Sequence, residues 1–183
     1  MDTLETDRLT LRMLREADFD VYAETCADPE VMRYLGDGQP MARPMAWRSL
    51  ATMVGHWSLR GYGMWAAVEQ ASGELVGRIG FWNPDGWPGF ELGWTLRRRC
   101  WGRGFATEGA RAALRLAFTR MDRPEVISLI HPENTRSIRV AERLGERLTG
   151  AIEVMGKPAL AYRISREEWE ANPEGPRWSG ASS

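Results

Sequence analysis

The chain holds 183 residues, 43% hydrophobic and 27% charged, a balance that fits one globular domain and excludes a disordered or fibrous polypeptide. Twenty-four basic against 25 acidic side chains leave a net charge of −1, which disfavours a general nucleic-acid binder while leaving room for a local basic patch. No apolar run approaches the roughly 20 residues that cross a bilayer, and the acidic start lacks an apolar signal core, so neither membrane insertion nor secretion is expected. Cys26, Cys100, His56 and His131 lie far apart without ligand spacing. A reducing cytoplasm, no disulfide framework and no metal centre follow as expectations.

In chain order, Leu9, Leu11 and Met13 alternate with polar neighbours and predict an opening strand. Asp18 is placed as the cap of a helix running to about Ala27, and Asp28-Pro29-Glu30 opens a second, short one. Pro44 to Arg60 reads as helical, with Trp47, Leu50, Val54 and Trp57 on one face and Gly61 as its stop. Strands follow at Met64 to Glu69 and Glu74 to Trp82, joined by a turn at Ala71-Ser72-Gly73, and then at Phe90 to Leu96. From Gly104 to Met121 the period changes to that of an amphipathic helix whose inner face is built from small residues such as Ala106, Ala110, Ala113 and Ala117. Glu125 to Ile130 is a strand and Asn134 to Leu144 a helix ended by Gly145. Arg147 to Met155 and Ala159 to Ile164 form a last hairpin around Gly156-Lys157-Pro158. The sum is an α+β domain over residues 4–171, a central, mostly antiparallel mixed sheet with helices on both faces and one parallel strand-helix-strand crossover. Residues 172–183, rich in Pro, Gly and Ser, are expected to form a flexible tail.

The chemistry concentrates in the stretch from Glu91 to Glu108, where a strand runs into a Gly/Arg loop that opens a helix. Such a junction presents free backbone N–H groups at the positive end of the helix dipole and binds phosphate. Gly102 and Gly104 let the backbone approach an anion, and Arg99 and Arg103 add charge-assisted contacts. Lys157 is the sole lysine, so nearly all positive charge in the chain sits on such planar guanidinium forks. The loop is neither a Walker loop, which needs Gly-Lys-Ser/Thr, nor a dinucleotide fingerprint, which needs a third glycine and a downstream acid.

With these residues the chain resembles the GNAT superfamily of N-acetyltransferases, and within it the RimJ/RimL-like branch that acetylates ribosomal-protein alanine. The likeness runs from about Leu4 to Trp169. It rests on the opening Glu5-Thr6-Asp7-Arg8-Leu9-Thr10-Leu11-Arg12, on the loop above, and on His131-Pro132-Glu133-Asn134-Thr135-Arg136-Ser137 with the helix that follows. The family's pyrophosphate loop fits Trp101-Gly102-Arg103-Gly104-Phe105-Ala106, with Trp in place of the usual Gln/Arg; it also fits one register earlier, from Arg99 to Gly104, out of step with the helix start. The resemblance implies that amides from Gly102 through Ala106 hold the diphosphate of acetyl-CoA, that the strand edge at Thr95, Leu96 and Arg97 pairs with the pantetheine arm, and that Arg97, Arg98 and Arg99 meet the adenosine phosphate. Asn134 then holds the pantetheine or caps its helix, and Ser137, or a water, is the candidate proton donor to the departing thiolate.

Two further positions depart from the family pattern: Ala141 stands where many members carry a tyrosine acid, and Glu146 where phenylalanine is common. A substrate ammonium must lose a proton before it attacks, and Glu91, matching the acidic position of this branch, is the candidate base. Backbone N–H groups near Leu96 are expected to stabilise the oxyanion, with no cysteine nucleophile required. The implied reaction moves acetyl from acetyl-CoA to a primary amine, on a protein N-terminus or a small molecule; the rival reading is an acyl-CoA sensor with little turnover. The resemblance implies an acceptor groove near Pro40 to Tyr62 and the final hairpin, which hold Trp47, His56, Trp57, Tyr62 and Tyr162; core packing explains the same residues at least as well. Many relatives form homodimers, and the residues here neither require nor exclude one.

Overall fold

Period-2 alternation along eight segments produces one sheet in the order β1-β2-β3-β4-β5-β6-β8-β7. Its strands are β1 (Thr3–Glu5), β2 (Leu9–Met13), β3 (Met64–Glu69), β4 (Leu75–Trp82), β5 (Glu91–Leu96), β6 (Glu125–Ile130), β7 (Arg147–Val154) and β8 (Lys157–Ser165). Helices α1 (Phe19–Ala27), α2 (Pro29–Met32), α3 (Arg43–Arg60), α4 (Phe105–Thr119), α5 (Thr135–Leu144) and α6 (Arg166–Ala171) complete the α+β architecture. The computed structural model describes residues 3–172, and the tail predicted from residue 172 lies outside them except for Asn172. Neighbouring strands are antiparallel apart from β5 and β6, which run parallel and are joined through α4.

The two faces of the sheet separate the core into layers. Met64 and Ala66 face Tyr22, Cys26, Leu50 and Met53 of α1 and α3, while Trp65 and Ala67 turn to the layer that holds Leu92, Phe105, Ala110 and Leu114. On that second side α5 lies beside α4, with Arg111 donating to the Arg143 carbonyl at 3.1 Å. Helix α4 seats closely because its inner face is small: Ala110, Ala113 and Ala117 are fully buried, and a Cβ at Gly109 would stand 2.5 Å from Ile79 Cδ1. Among the described residues no helix is long and apolar enough to cross a membrane.

Several local expectations are corrected. Asp18 does not cap α1 with its side chain; its carboxylate accepts both guanidinium nitrogens of Arg12 at 2.7 Å and the Arg15 amide at 2.8 Å. The buried stripe of α3 is Ala46, Leu50, Met53 and Trp57; Leu50 and Trp57 of the predicted face belong to it, whereas Ala46 and Met53 are buried in place of their neighbours Trp47, which is 53% exposed, and Val54. The last hairpin turns tightly on Met155 and Gly156, with φ of 51° and 76°, so β8 already begins at Lys157. Strand β1 and helix α6 were not read from the sequence.

A Gly109→Val substitution is expected to lift α4 from the sheet and to destabilise the protein by roughly 1–3 kcal/mol in urea unfolding. An unchanged midpoint would show that the helix does not rest on Ile79.

Candidate active site

The parallel strands β5 and β6 share a single register pair, Glu91 with Ile127, where the Ile127 amide reaches the Phe90 carbonyl at 3.0 Å. One step further, side chains take over the groups a ladder would use. The Leu92 carbonyl accepts from Ser128 Oγ at 2.8 Å, and the Leu129 amide donates to the Glu91 carboxylate. The strands then part. The Gly77–Leu96 register and the Arg97 amide bonded to Val76 O at 2.9 Å fix which groups of β5 face β4. By antiparallel alternation these are the main-chain groups of residues 91, 93, 95 and 97, so those of Leu92, Trp94 and Leu96 face the gap. Thr95 and Arg97, expected to pair with a pantetheine arm, instead use their main chains on β4; the open edge is that of Trp94 and Leu96. The Leu96 carbonyl is held by the Trp101 indole at 2.9 Å, leaving the Leu96 amide.

The loop after β5 makes a short 3-10 turn at Arg98–Cys100 and then enters α4 through two glycines in left-handed conformation, Gly102 at φ 74° and Gly104 at φ 82°. No side chain caps the helix start. After the Trp101 amide, bonded to Arg98 O, the next main-chain donor with a partner among the described residues is Glu108, on Gly104 O at 3.1 Å. Six successive amides, 102–107, thus stand open at the positive end of a 15-residue helix. Ala106 falls in the first helical turn and Phe105 is wholly buried.

Arg8 braces this loop: it donates to Glu108 Oε2 at 2.7 Å and to the Arg103 carbonyl at 2.9 Å. Three of the four arginines expected at phosphates face acids here, Arg103 with Glu69, Arg99 with Glu74 at 2.7 Å and Arg97 with Glu24 at 3.3 Å. A cavity of about 580 Å³ lies beside them, bounded by Glu24, Thr25, Asp28 and Val31.

On the β6 side, Asn134 Oδ1 accepts the Ser137 amide at 3.2 Å, so it caps α5. Ser137 Oγ receives the Trp94 indole N–H at 3.3 Å, which brings β5 and α5 together across the gap. Glu91 points with Gly93 to the opposite face from Leu92, since a Cβ at Gly93 would stand 3.9 Å from Glu91 Oε1. Burial pushes the Glu91 carboxyl from its ordinary 4.5 up to about 7, against the Trp87 indole, the Leu129 amide and the field of Arg78, which favour ionisation. Trp87 Nε1 stands 2.7 Å from Glu91 Oε2.

The loop carrying Trp87 is anchored in turn by His56. Its Nε2 accepts the Asn83 amide at 3.2 Å, which leaves Nδ1 to donate to Tyr62 O at 2.9 Å. Together with Trp57, Tyr62 and Tyr162, His56 is buried, so four of the five side chains expected to line an acceptor groove belong to the core; Trp47 alone is exposed. Trp87, the Arg8–Glu108 brace and the buried pair Ser128–Glu146 were missed. The residues in each group lie far apart in sequence or in a Gly/Pro loop, and no local period marks them. Among the described residues no three His, Cys, Asp or Glu side chains converge on a metal site.

A strand edge left open runs beside a bare helix N-terminus, where backbone dipoles favour an anion. Residues 8–147 match the family described as the acetyltransferase (GNAT) domain, and the chain belongs to that family of acetyltransferases. Among its relatives is an uncharacterized N-acetyltransferase, p20, of Bacillus licheniformis, 32% identical over 154 residues that cover 83% of this chain and 86% of that one. The crystal structure of an acetyltransferase from Agrobacterium tumefaciens str. C58 superposes with a TM-score of 0.80 at 35% identity, over 90% of this chain and 94% of that one. RimL, a ribosomal L7/L12 alpha-N-protein acetyltransferase solved in complex with coenzyme A, has a TM-score of 0.75 at 17% identity, over 90% of this chain and 98% of its own; that likeness is one of fold.

Trp87→Phe removes a hydrogen bond that favours the ionised carboxylate, so the Glu91 titration is expected to move upward. Carbon-13 NMR of the glutamate carboxyls reads this directly, and a midpoint unchanged or lowered would remove Trp87 from the site.

Proposed function

We propose that the protein transfers acetyl from acetyl-CoA to a primary amine by direct attack. The observation that carries this reading is the run of open amides at residues 102–107 beside the unpartnered edge of Trp94 and Leu96. Amides from Gly102 through Ala106 bind the diphosphate, and the β5 edge orients the pantetheine arm. Arg97, Arg99 and Arg103 turn from their acids to the phosphates, an exchange of exposed ion pairs that are worth only ~0–1 kcal/mol each. Trp101 and Phe105 shape the loop, and Asn134 fixes the start of α5 beside it. When bound, acetyl-CoA supplies an acyl group activated as a thioester.

Glu91 accepts the proton that the substrate ammonium must lose. An N-terminal amine titrates near ~8 and a lysine-like amine near ~10.4, so a base near 7 is better matched to the former, or to a small amine of similar acidity. The Leu96 amide donates to the developing oxyanion. Ser137 faces the departing thiolate; because the Trp94 N–H already fills one acceptor site on its oxygen, its own hydrogen is directed away and available to donate. The pairing of Glu91 with Asn134 and Ser137 supports the RimJ/RimL-like branch and an acceptor that is a protein N-terminus or a small-molecule amine. Two free, buried thiols, Cys26 and Cys100, suit a reducing cytoplasm.

The test is Glu91→Gln, assayed by thiol release from acetyl-CoA with a panel of amines. Wild-type kcat/KM is expected to rise with pH through about 7, as the base ionises. The variant should lose about 10²–10⁴-fold in kcat/KM and that rise, with CoA affinity unchanged. A wild-type profile in the variant would remove Glu91 as base, and CoA release stimulated by no amine would remove the acceptor class.

A further inference from the structure

Glu146 follows the glycine that ends α5 and is 3% exposed; its Oε1 lies 3.0 Å from Ser128 Oγ. Ser128 is 1% exposed, and its Oγ lies 2.8 Å from the Leu92 carbonyl oxygen. Ser128 has one hydrogen for two acceptors, so either it is shared between them or the carboxyl supplies a second. Two oxygens this close need a hydrogen between them, since otherwise lone pair faces lone pair. A carbonyl brings none and a serine brings one. With the carboxyl protonated, Ser128 gives its hydrogen wholly to Leu92 and the carboxyl donates to Ser128, so that each oxygen pair holds its own hydrogen.

The surroundings of Glu146 favour the protonated carboxyl. Oε2 has no partner among the described residues. Burial lifts the carboxyl from 4.5 to about 8, and the charge acting on it, that of Glu91 across the sheet on β5, lifts it too; the Ser128 hydroxyl acts the other way when its hydrogen is turned to Glu146 instead of Leu92. On its own chain side the Glu146 amide is bonded to Ala141 O at 3.0 Å, which fixes the backbone at the end of α5.

We propose that Glu146, as a proton-donating acid, is a positioning residue for acetyl transfer: through Ser128 it holds the Leu92 carbonyl and sets how widely β5 and β6 part to admit the pantetheine arm. This rests on the placement of acetyl-CoA proposed above. Leu92 is the last residue of β5 whose carbonyl is tied toward β6 before the strands separate, so the clasp sits at the apex of the gap. When Glu146 loses its proton, the single hydrogen of Ser128 turns to the new carboxylate, the stronger acceptor, and Leu92 is released. Glutamine keeps a donor toward Ser128 and cannot ionise.

The experiment is calorimetric binding of CoA from pH 6.5 to 9 to the wild type, Glu146→Gln and Ser128→Ala, with circular dichroism confirming folding. CoA's own titration is common to all three proteins and cancels in the comparison. Wild-type affinity is expected to fall about five- to tenfold relative to Glu146→Gln across this range, the effect of one hydrogen bond. Glu146→Gln should match the wild type at pH 6.5, and Ser128→Ala should bind more weakly than the wild type at pH 6.5 with no further relative loss by pH 9. Parallel pH curves for wild type and Glu146→Gln would overturn the clasp while leaving CoA in the gap, as would wild-type affinity in Ser128→Ala. A wild type that fails to bind CoA at pH 6.5 would overturn the placement itself.

Discussion

The parting of β5 and β6 is the constraint on which the rest depends. Parallel strands pair wherever their main chains can reach, and an interior gap exposes backbone groups at a cost comparable to lost hydrogen bonds. Here the gap starts where two side chains, Ser128 and Glu91, take the carbonyl and amide that would have continued the ladder. The separation is therefore written into side-chain chemistry at its apex. What lies beyond it, the Trp94–Leu96 edge on one side and the Ser137 hydroxyl on the other, is a slot lined by groups that have been left something to bind.

Charge is distributed so that each part of the slot holds a different sign of potential. The helix start and the glycine loop are positive through backbone dipoles, and their geometry is maintained by Arg8 and Glu108. The inner end carries two acids in a poorly solvated place. Burial outweighs the hydrogen bonds offered to Glu91, so its proton is held near neutrality; the same effect, with fewer compensating donors, keeps Glu146 protonated.

Much of this was legible in the chain. Strands β3 to β6 and helices α4 and α5 followed from a change of hydrophobic period and from their terminating residues, and Gly104 marked the helix start because only a left-handed residue fits there. Helix α6 was also within reach, since Ser165 and Glu168 form a capping box visible as a Ser-x-x-Glu pattern. Groove and core stayed equal alternatives for the aromatic residues, because spacing reveals that Trp57 and Tyr162 share a face with other apolar residues, but not that the face is covered. Glu146 stood out only as a departure from a pattern; its meaning came from Ser128, 18 residues away and on another strand. Arg8 and Glu108 are 100 residues apart, and no periodicity connects them.

That last contact has a mechanical consequence. Arg8 sits on the turn between the first two strands, with its backbone amide bonded to Glu108 Oε1 at 2.8 Å and Gln70 donating its amide to the Arg8 carbonyl at 2.9 Å. The cradle at the start of α4 is thereby fastened to the far margin of the sheet rather than suspended from its own strand. An anion settling on those amides stiffens the opening hairpin as well, and slower amide exchange at Leu9 would report occupancy from a part of the molecule that never touches the ligand.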